Sequence, residues 1–254
     1  MNELATLPTT HDEDWRYADA AWLAAADPVA LDQWRELSVA AGDTVCQTAT
    51  VAAGVDRLRV QVGRGGRFEL FLINPAGPYA RAEVEVTLED GAHFEFGGVT
   101  IGGGIKRQEF VTRVLHAHPG ATSNQVVRSV QWGKSTGNFL GRIEVARDAQ
   151  KTDAAQNFRA ILLEKGATAN AKPELEIFAD DVKCAHGAAI GALDEAAAFY
   201  MAARGLPPEL AKKLLVQAFI ADAFMAIEDE DLRERLFSEA IDALDDDALD
   251  GGKL

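Results

Sequence analysis

Two hydrophobic periods divide the chain. From about Val51 apolar and polar residues alternate: Leu58, Val60 and Val62 with Arg57, Arg59 and Gln61, then Val84, Val86 and Leu88 with Glu83, Glu85 and Thr87. Alternation puts one set of side chains on each face of a pleated backbone, so these segments read as half-buried strands. Gly65-Gly66, Pro75, Gly77-Pro78, Gly91, Gly97-Gly98 and Gly102-Gly103-Gly104 punctuate them and predict turns. Strands continue to about Ile190 without an amphipathic helix between them, which argues against a doubly wound α/β fold.

Outside this region the period is helical. Residues 1–50 read as a helical segment: Asp27-Pro28 supplies an N-cap and first-turn proline before Val29, Leu31, Trp34 and Leu37, and Gly42 is a stop. Trp15, Trp22 and Trp34 are expected to pack these small helices onto the main body. Residues 191–254 form a second helical region. Asp194 caps a helix that Gly205 ends, and Pro207-Pro208-Glu209 opens another carrying Leu210, Leu214, Ala218 and Phe219. A third helix follows Asp229 with Leu232, Leu236, Ala240 and Leu244, and Asp245-Asp246-Asp247 with Gly251-Gly252 reads as a solvated tail.

The middle region, residues 51–190, holds a weak repeat. An arginine sits beside apolar positions in the segments around Arg128, Arg142 and Arg159, at separations of 14 and 17 residues. Short strands recurring in this way suit the rungs of a parallel β-helix, in which each rung buries its apolar positions on the next. The pattern alone also accommodates a β-sandwich or jelly roll.

Composition narrows the function classes. In 254 residues, 48% are hydrophobic and 26% charged, as in a folded globular chain, and 25 basic against 40 acidic residues give a net charge of −15. That charge repels nucleic acid and anionic membrane surfaces. No stretch reaches the roughly 20 apolar residues of a membrane span, and Met1-Asn2-Glu3-Leu4 does not open a signal peptide, so a cytoplasmic protein is expected. The 2 cysteines, Cys46 and Cys184, are then expected to be free thiols.

Candidate chemistry is sparse. Gly133-Lys134-Ser135-Thr136 resembles the end of a phosphate-binding loop, but Arg128 stands where the leading glycine belongs and no helix follows. Gly102-Gly103-Gly104 lacks the spacing of a dinucleotide fingerprint. His116 and His118 are one residue apart in a predicted strand and would share a face, as would Cys184 and His186. A thiolate and an imidazole on one face could hold iron or zinc, yet two ligands do not complete a tetrahedral site. No nucleophile elbow or paired-carboxylate arrangement stands out. Nothing argues for an enzyme.

The carboxy-terminal half changes this picture. Gln150-Lys151-Thr152-Asp153-Ala154, Gln156, Leu162-Leu163 and Lys172-Pro173-Glu174-Leu175-Glu176-Ile177 are followed by Ala179-Asp180-Asp181-Val182-Lys183-Cys184 and His186-Gly187-Ala188. Gly191, Leu193-Asp194-Glu195, Phe199-Tyr200 and Arg204-Gly205 complete the series, with His118-Pro119-Gly120 and Ser123 upstream and Asp14-Trp15-Arg16-Tyr17 as a weaker amino-terminal match. In this order and spacing they resemble the SufD branch of the SufB/SufD family of iron-sulfur cluster assembly scaffolds. The Cys-x-His-Gly-Ala form of residues 184–188 separates it from the SufB branch.

The resemblance implies a mainly β fold: a right-handed parallel β-helix flanked by a short N-terminal helical segment and a C-terminal helical domain. It implies a non-catalytic subunit that pairs with a SufB-like paralogue through the β-helix and carries a SufC-like ATPase on the C-terminal helices. A third reading is a homodimer in isolation, in which the exposed β-helix edge pairs with itself. His186, with Cys184 beside it, is implied to contribute to a metal site at the paralogue interface, where iron or a nascent cluster forms; no cofactor is expected to stay on this chain alone. The rival reading is a stand-alone metal-binding β-helix or β-sandwich enzyme using His116, His118 and His186.

Overall fold

The computed structural model describes residues 7–244. The expected acidic tail from Asp245 onward lies outside them, as does the Met1-Asn2-Glu3-Leu4 start. The strands are β1 (Arg35–Val39), β2 (Thr44–Thr50), β3 (Gly54–Val62), β4 (Arg67–Asn74), β5 (Tyr79–Leu88) and β6 (His93–Gly102). They continue as β7 (Arg107–His116), β8 (Thr122–Gln131), β9 (Thr136–Val145), β10 (Asp153–Leu162), β11 (Thr168–Ile177) and β12 (Lys183–Gly191). Odd strands stack in order into one six-stranded sheet, sheet A, and even strands into the other, sheet B. Every ladder is parallel. Successive strands therefore wind from sheet to sheet as a parallel β-helix of about five turns. A sandwich or jelly roll, built on antiparallel pairs, is ruled out.

Register explains the weak repeat. Arg128 stacks on Arg159 across β8 and β10, whereas Arg142 lies on β9 in the opposite sheet. The separations of 14 and 17 residues are thus two half-turns. Inside, the alternating apolar positions close on one another. Phe68 stacks on Phe94 at 5.8 Å and Phe139 on Phe158 at 5.7 Å. Each fully buried aromatic adds roughly 1.5–3 kcal/mol of transfer free energy.

One corner of each turn needs a left-handed residue. Gly42, Gly65, Gly91 and Gly120 have φ of 77°, 62°, 62° and 71°, and Lys151 takes the next place in the column at 63°. Each N–H donates to a carbonyl one turn on, ending with Lys151 to Asp181 at 2.7 Å. A non-glycine residue pays roughly 1–2 kcal/mol there, partly offset by its smaller unfolded-state entropy. Lys151→Gly is therefore expected to leave stability unchanged or raise it by up to about 1 kcal/mol, whereas Gly91→Ala lowers it by about the same amount. Denaturant titration of both variants checks this opposite sign.

The N-terminal reading needs correction. Helix α1 (Ala20–Ala25) and helix α2 (Pro28–Leu31) form with Asp19 and Asp27 as caps, but residues 35–50 are strands β1 and β2. Leu37 and Val39 have a spacing that serves a strand as well, and the ladder to β3 decides in its favour. Trp34 lies between the Arg57 and Arg59 guanidiniums, 4.8 and 4.4 Å from its ring centre. The β-helix thus starts at Arg35 rather than Val51. Ahead of it, a 3₁₀ turn (Glu13–Trp15) straps across sheet A. Trp15 stacks on the fully buried Arg81 at 3.9 Å, and Arg81 donates to Asp14 O while pairing with Glu83 and Glu109. Two tryptophans pack as expected: Trp15 is buried and Trp22 meets Tyr79.

The C-terminal helices are α3 (Glu195–Ala203), α4 (Pro208–Ala221) and α5 (Glu230–Asp242), with a 3₁₀ turn (Asp222–Phe224) after α4. Asp194 accepts from the amides of Ala196 and Ala197, and Gly205 follows with φ of 90°. Val216, Ile220, Phe224 and Leu236 bury the outer face of sheet B at Phe71, Ile73, Val99 and Val130. Arg128 ties this layer down through an ion pair with Asp222. The face predicted for α4 is only partly right: Ala211, Val216 and Ile220 point inward, and Leu210 and Leu214 are exposed. Among the described residues no helix is long and apolar enough to cross a membrane.

Candidate functional site at the open last turn

The site follows from how the β-helix ends. Among the described residues β11 pairs only with β9 and β12 only with β10, so no further described turn stacks on the last one. Buried inner positions of β10 fix which side chains of β12 look into the lumen: Cys184 stacks on Ala154, His186 on Gln156, Ala188 on Phe158 and Ile190 on Ala160. Cys184 and His186 therefore share one face, as their spacing predicts.

The neighbouring turn holds this strand in place. Gln150 Oε1 accepts from the Asp181 amide at 2.8 Å, the Lys151 ammonium pairs with Asp181, and Lys183 N–H donates to Thr152 O at 2.8 Å. Gln156 crosses the lumen below His186, its Nε2 donating to Gly141 O and Glu174 O at 3.2 and 3.3 Å. The Gln-Lys-Thr segment is thus the footing of the Asp-Asp-Val-Lys-Cys segment.

The two candidate ligands differ. Cys184 is half-buried against Ile143, Val145 and Ala154. Burial, with the Asp153 carboxylate as a further cause, pushes its thiol pKa up, so at neutral pH it is protonated and a ligand only when a metal displaces the proton. His186 is exposed, with its ring free to meet a ligand. Together they supply one soft and one borderline donor from a single edge strand. No group of three or more His, Cys, Asp or Glu side chains able to hold a metal occurs among the described residues. A four-coordinate metal would need its remaining ligands from elsewhere.

Other sequence candidates fall away. His116 ends β7 and is fully buried, its Nε2 2.9 Å from Ser123 Oγ, while His118 is exposed in the following turn. The expected shared face does not exist, because the strand stops at His116. Burial lowers the His116 pKa from 6.5 to about 4. Below pH 6.5 the unfolded chain binds a proton that the folded chain refuses until about pH 4, so this group's stability is full above pH 6.5 and falls through that window. Between pH 7 and pH 5 the loss should be about 2 kcal/mol and vanish in His116→Gln; denaturant midpoints at the two pH values check it. Gly133 to Ser135 form the polar turn expected, with Gly133 at φ of 64° and β9 following. Cys46 and Cys184 are both free thiols.

Sequence reasoning missed the amino-terminal strap's partners. Glu109, fully buried, accepts from Tyr79, Arg81 and Asn138, and Asn170 on β11 donates to Asn138. Alternation of Glu83 and Glu85 with apolar residues marked them as solvent-facing. The strap covers that face, and only the spare tryptophans hinted at a cover.

The chain is a parallel β-helix whose last described strand carries Cys184 and His186. Residues 43–219 match the family described as SUF system FeS cluster assembly, SufBD core domain, and the chain belongs to that family. It is 37% identical to the iron-sulfur cluster assembly protein SufD of Escherichia coli over 116 residues, 46% of this chain and 27% of that protein. Identity to the chloroplastic protein ABCI7 of Arabidopsis thaliana is 38% over 126 residues, 49% and 26% of the two chains. A SufBD family protein of Synechocystis is 33% identical over 175 residues, 68% of this chain and 39% of that protein. The chain spans between about a quarter and two fifths of the length of these relatives.

Proposed function

We propose that this chain is a non-catalytic scaffold subunit of the SUF assembly system, of the SufD branch, pairing with a SufB-like paralogue through the open end of its β-helix. The observation that carries this reading is the uncovered last turn, where Cys184 and His186 form half of a ligand set. A β-helix that ended its own job would cap that turn; here Ile177, Phe178 and Ile190 are left 41%, 56% and 45% exposed beside it. Iron or a nascent cluster would be held between the two subunits as cargo, with neither the metal nor the cluster resident on this chain alone. In isolation the same end can cover itself by homodimerisation.

The C-terminal helices support a second partner, a SufC-like ATPase that would perform the ATP hydrolysis. Phe199 and Tyr200 on α3 and Leu210 and Leu214 on α4 are exposed by 76%, 59%, 44% and 39%. A groove of about 390 Å³ between Glu195, Ala198, Phe199, Ala202 and Pro208 lies among them.

Affinity purification from the native cell tests the reading. Recovery of a SufB-like chain and an ATPase in stoichiometric amounts is the expected result. A lone, metal-loaded protein would overturn it in favour of the rival enzyme.

A further inference from the structure

Among the described residues the β-helix is open at its first turn too, since β2 pairs only with β4. On β4 the lumen positions Phe68, Leu70 and Leu72 are buried, whereas their stacked partners Val45 and Gln47 on β2 are half-buried and Ala49 is exposed. The lumen above them is also unfilled. In the column Asp56, Ala82, Phe110 and Phe139, rings begin only at β7, and the small Ala82 leaves space below Phe110. The result is a groove of about 650 Å³ whose aliphatic floor includes Leu58, Leu70, Leu72 and Val84. The strap and helices α1 and α2 stay outside it, because no residue before Arg35 lines it.

Main-chain direction and charge say what the groove takes. Val51 N–H donates to Ile73 O and Asp43 O accepts from Arg67 N–H, so odd-numbered residues of β2 face β4. The N–H and C=O groups of Thr44, Cys46, Thr48 and Thr50 then point along the open edge. Proline and charge are what shield an edge strand, and Thr44–Thr50 contains neither. The rim is neutral. Arg35 Nε and Nη2 donate to Asp56 Oδ1 and Oδ2 at 3.1 and 2.7 Å, so the two charges at the mouth cancel. Glu83, the other charged residue along the groove, is paired with Arg57, Arg81 and Arg113.

We propose that the first turn docks an extended, uncharged peptide segment of another protein, added as a strand beside β2. Its main chain bonds to Thr44, Cys46, Thr48 and Thr50, and aliphatic side chains at alternate positions fill the groove. A second copy of this chain fits less well, because it would also have to match β1, which carries Arg35 and Glu36. The proposal is independent of the scaffold reading and of Cys184 and His186.

Fluorescence anisotropy of the full chain tests it, with labelled hexapeptides that alternate threonine with valine, leucine or isoleucine. Saturable binding is expected. Thr48→Pro removes one outward N–H and no ladder bond, and Ala49→Asp puts a charge over the aliphatic floor; each should weaken binding roughly fivefold or more. Ser38→Pro, the matched change on β1, should leave binding within about twofold. Ala49 is exposed, so Ala49→Asp keeps the fold and decides the matter if Thr48→Pro does not fold. Absence of saturable binding, or an equal loss with Ser38→Pro, overturns the proposal. Binding of dodecanoate in place of the peptides overturns it in favour of a small-molecule site. A dimer that Thr48→Pro disrupts, with no peptide bound, overturns it in favour of a second copy. Peptide binding only after deletion of residues 1–6 overturns it in favour of that segment as the occupant. None of these outcomes bears on the scaffold reading.

Discussion

His186→Ala is expected to lower cluster assembly on the SufB-paired complex by on the order of 10–100-fold, the usual effect of removing a group that binds or orients at a metal site. The fold should not change. The ring is exposed on an edge strand whose position is set by Gln150, Lys151 and Thr152 through bonds to Asp181 and Lys183, none of which involves the imidazole. Stability should therefore stay within about 0.5 kcal/mol, as for other surface substitutions, and co-purification with the partner should be unaltered. Cys184→Ala is the informative comparison. Cys184 packs partly buried against the cluster of Ile143, Val145, Ala149, Ala154 and Ala179, so truncation costs some stability as well as a donor. Iron and sulfide content of the purified complex, read beside a thermal melt, separates the two effects. Normal assembly by His186→Ala would remove the imidazole from the site.

Much of the architecture was legible because a β-helix repeats its local rules. The alternation at Leu58, Val60 and Val62 recurs at Val84, Val86 and Leu88 because β3 and β5 stack residue on residue. The corner glycines Gly42, Gly65, Gly91 and Gly120 carry the period of the whole turn, a clearer signal than the arginines, which mark half-turns. The start of the β-helix was not legible. Leu31, Trp34 and Leu37 keep helical spacing, and only the pairing of β1 with distant β3 turns the second half of that stretch into a strand. Site legibility had a similar limit. Spacing put Cys184 and His186 on one face, yet it put His116 and His118 there equally, since no local rule says that a strand ends at His116. What separates the pairs is that β12 is the last strand and β7 an inner one, a property of the whole topology.

Gly97 carries the other large prediction. Glycine pairs normally punctuate strands, but Gly97-Gly98 sit in the middle of β6, where each makes room on one face. A Cβ at Gly98 would press on the Phe96 and Phe110 rings in the lumen at 3.0 Å, contacts that rings can yield slightly. A Cβ at Gly97 would stand 2.1 Å from Ala223 O and 2.5 Å from Phe71. The first of these is backbone, held in the 3₁₀ turn that carries Phe224 into the outer core, so no rotamer change relieves it. The helical layer must lift. Gly97→Ala is therefore expected to cost about 3 kcal/mol, at the upper end for overpacking, and Gly97→Val more. Most of that loss should fall on α4 and α5 rather than on the ladders, which keep their own hydrogen bonds. Amide exchange should accelerate across the C-terminal helices while β7 to β10 stay protected. If the ATPase docks on α3 and α4, the same variant should lose the ATPase yet keep the SufB-like partner. Uniform destabilisation of strands and helices together would show instead that the two layers fold as one unit.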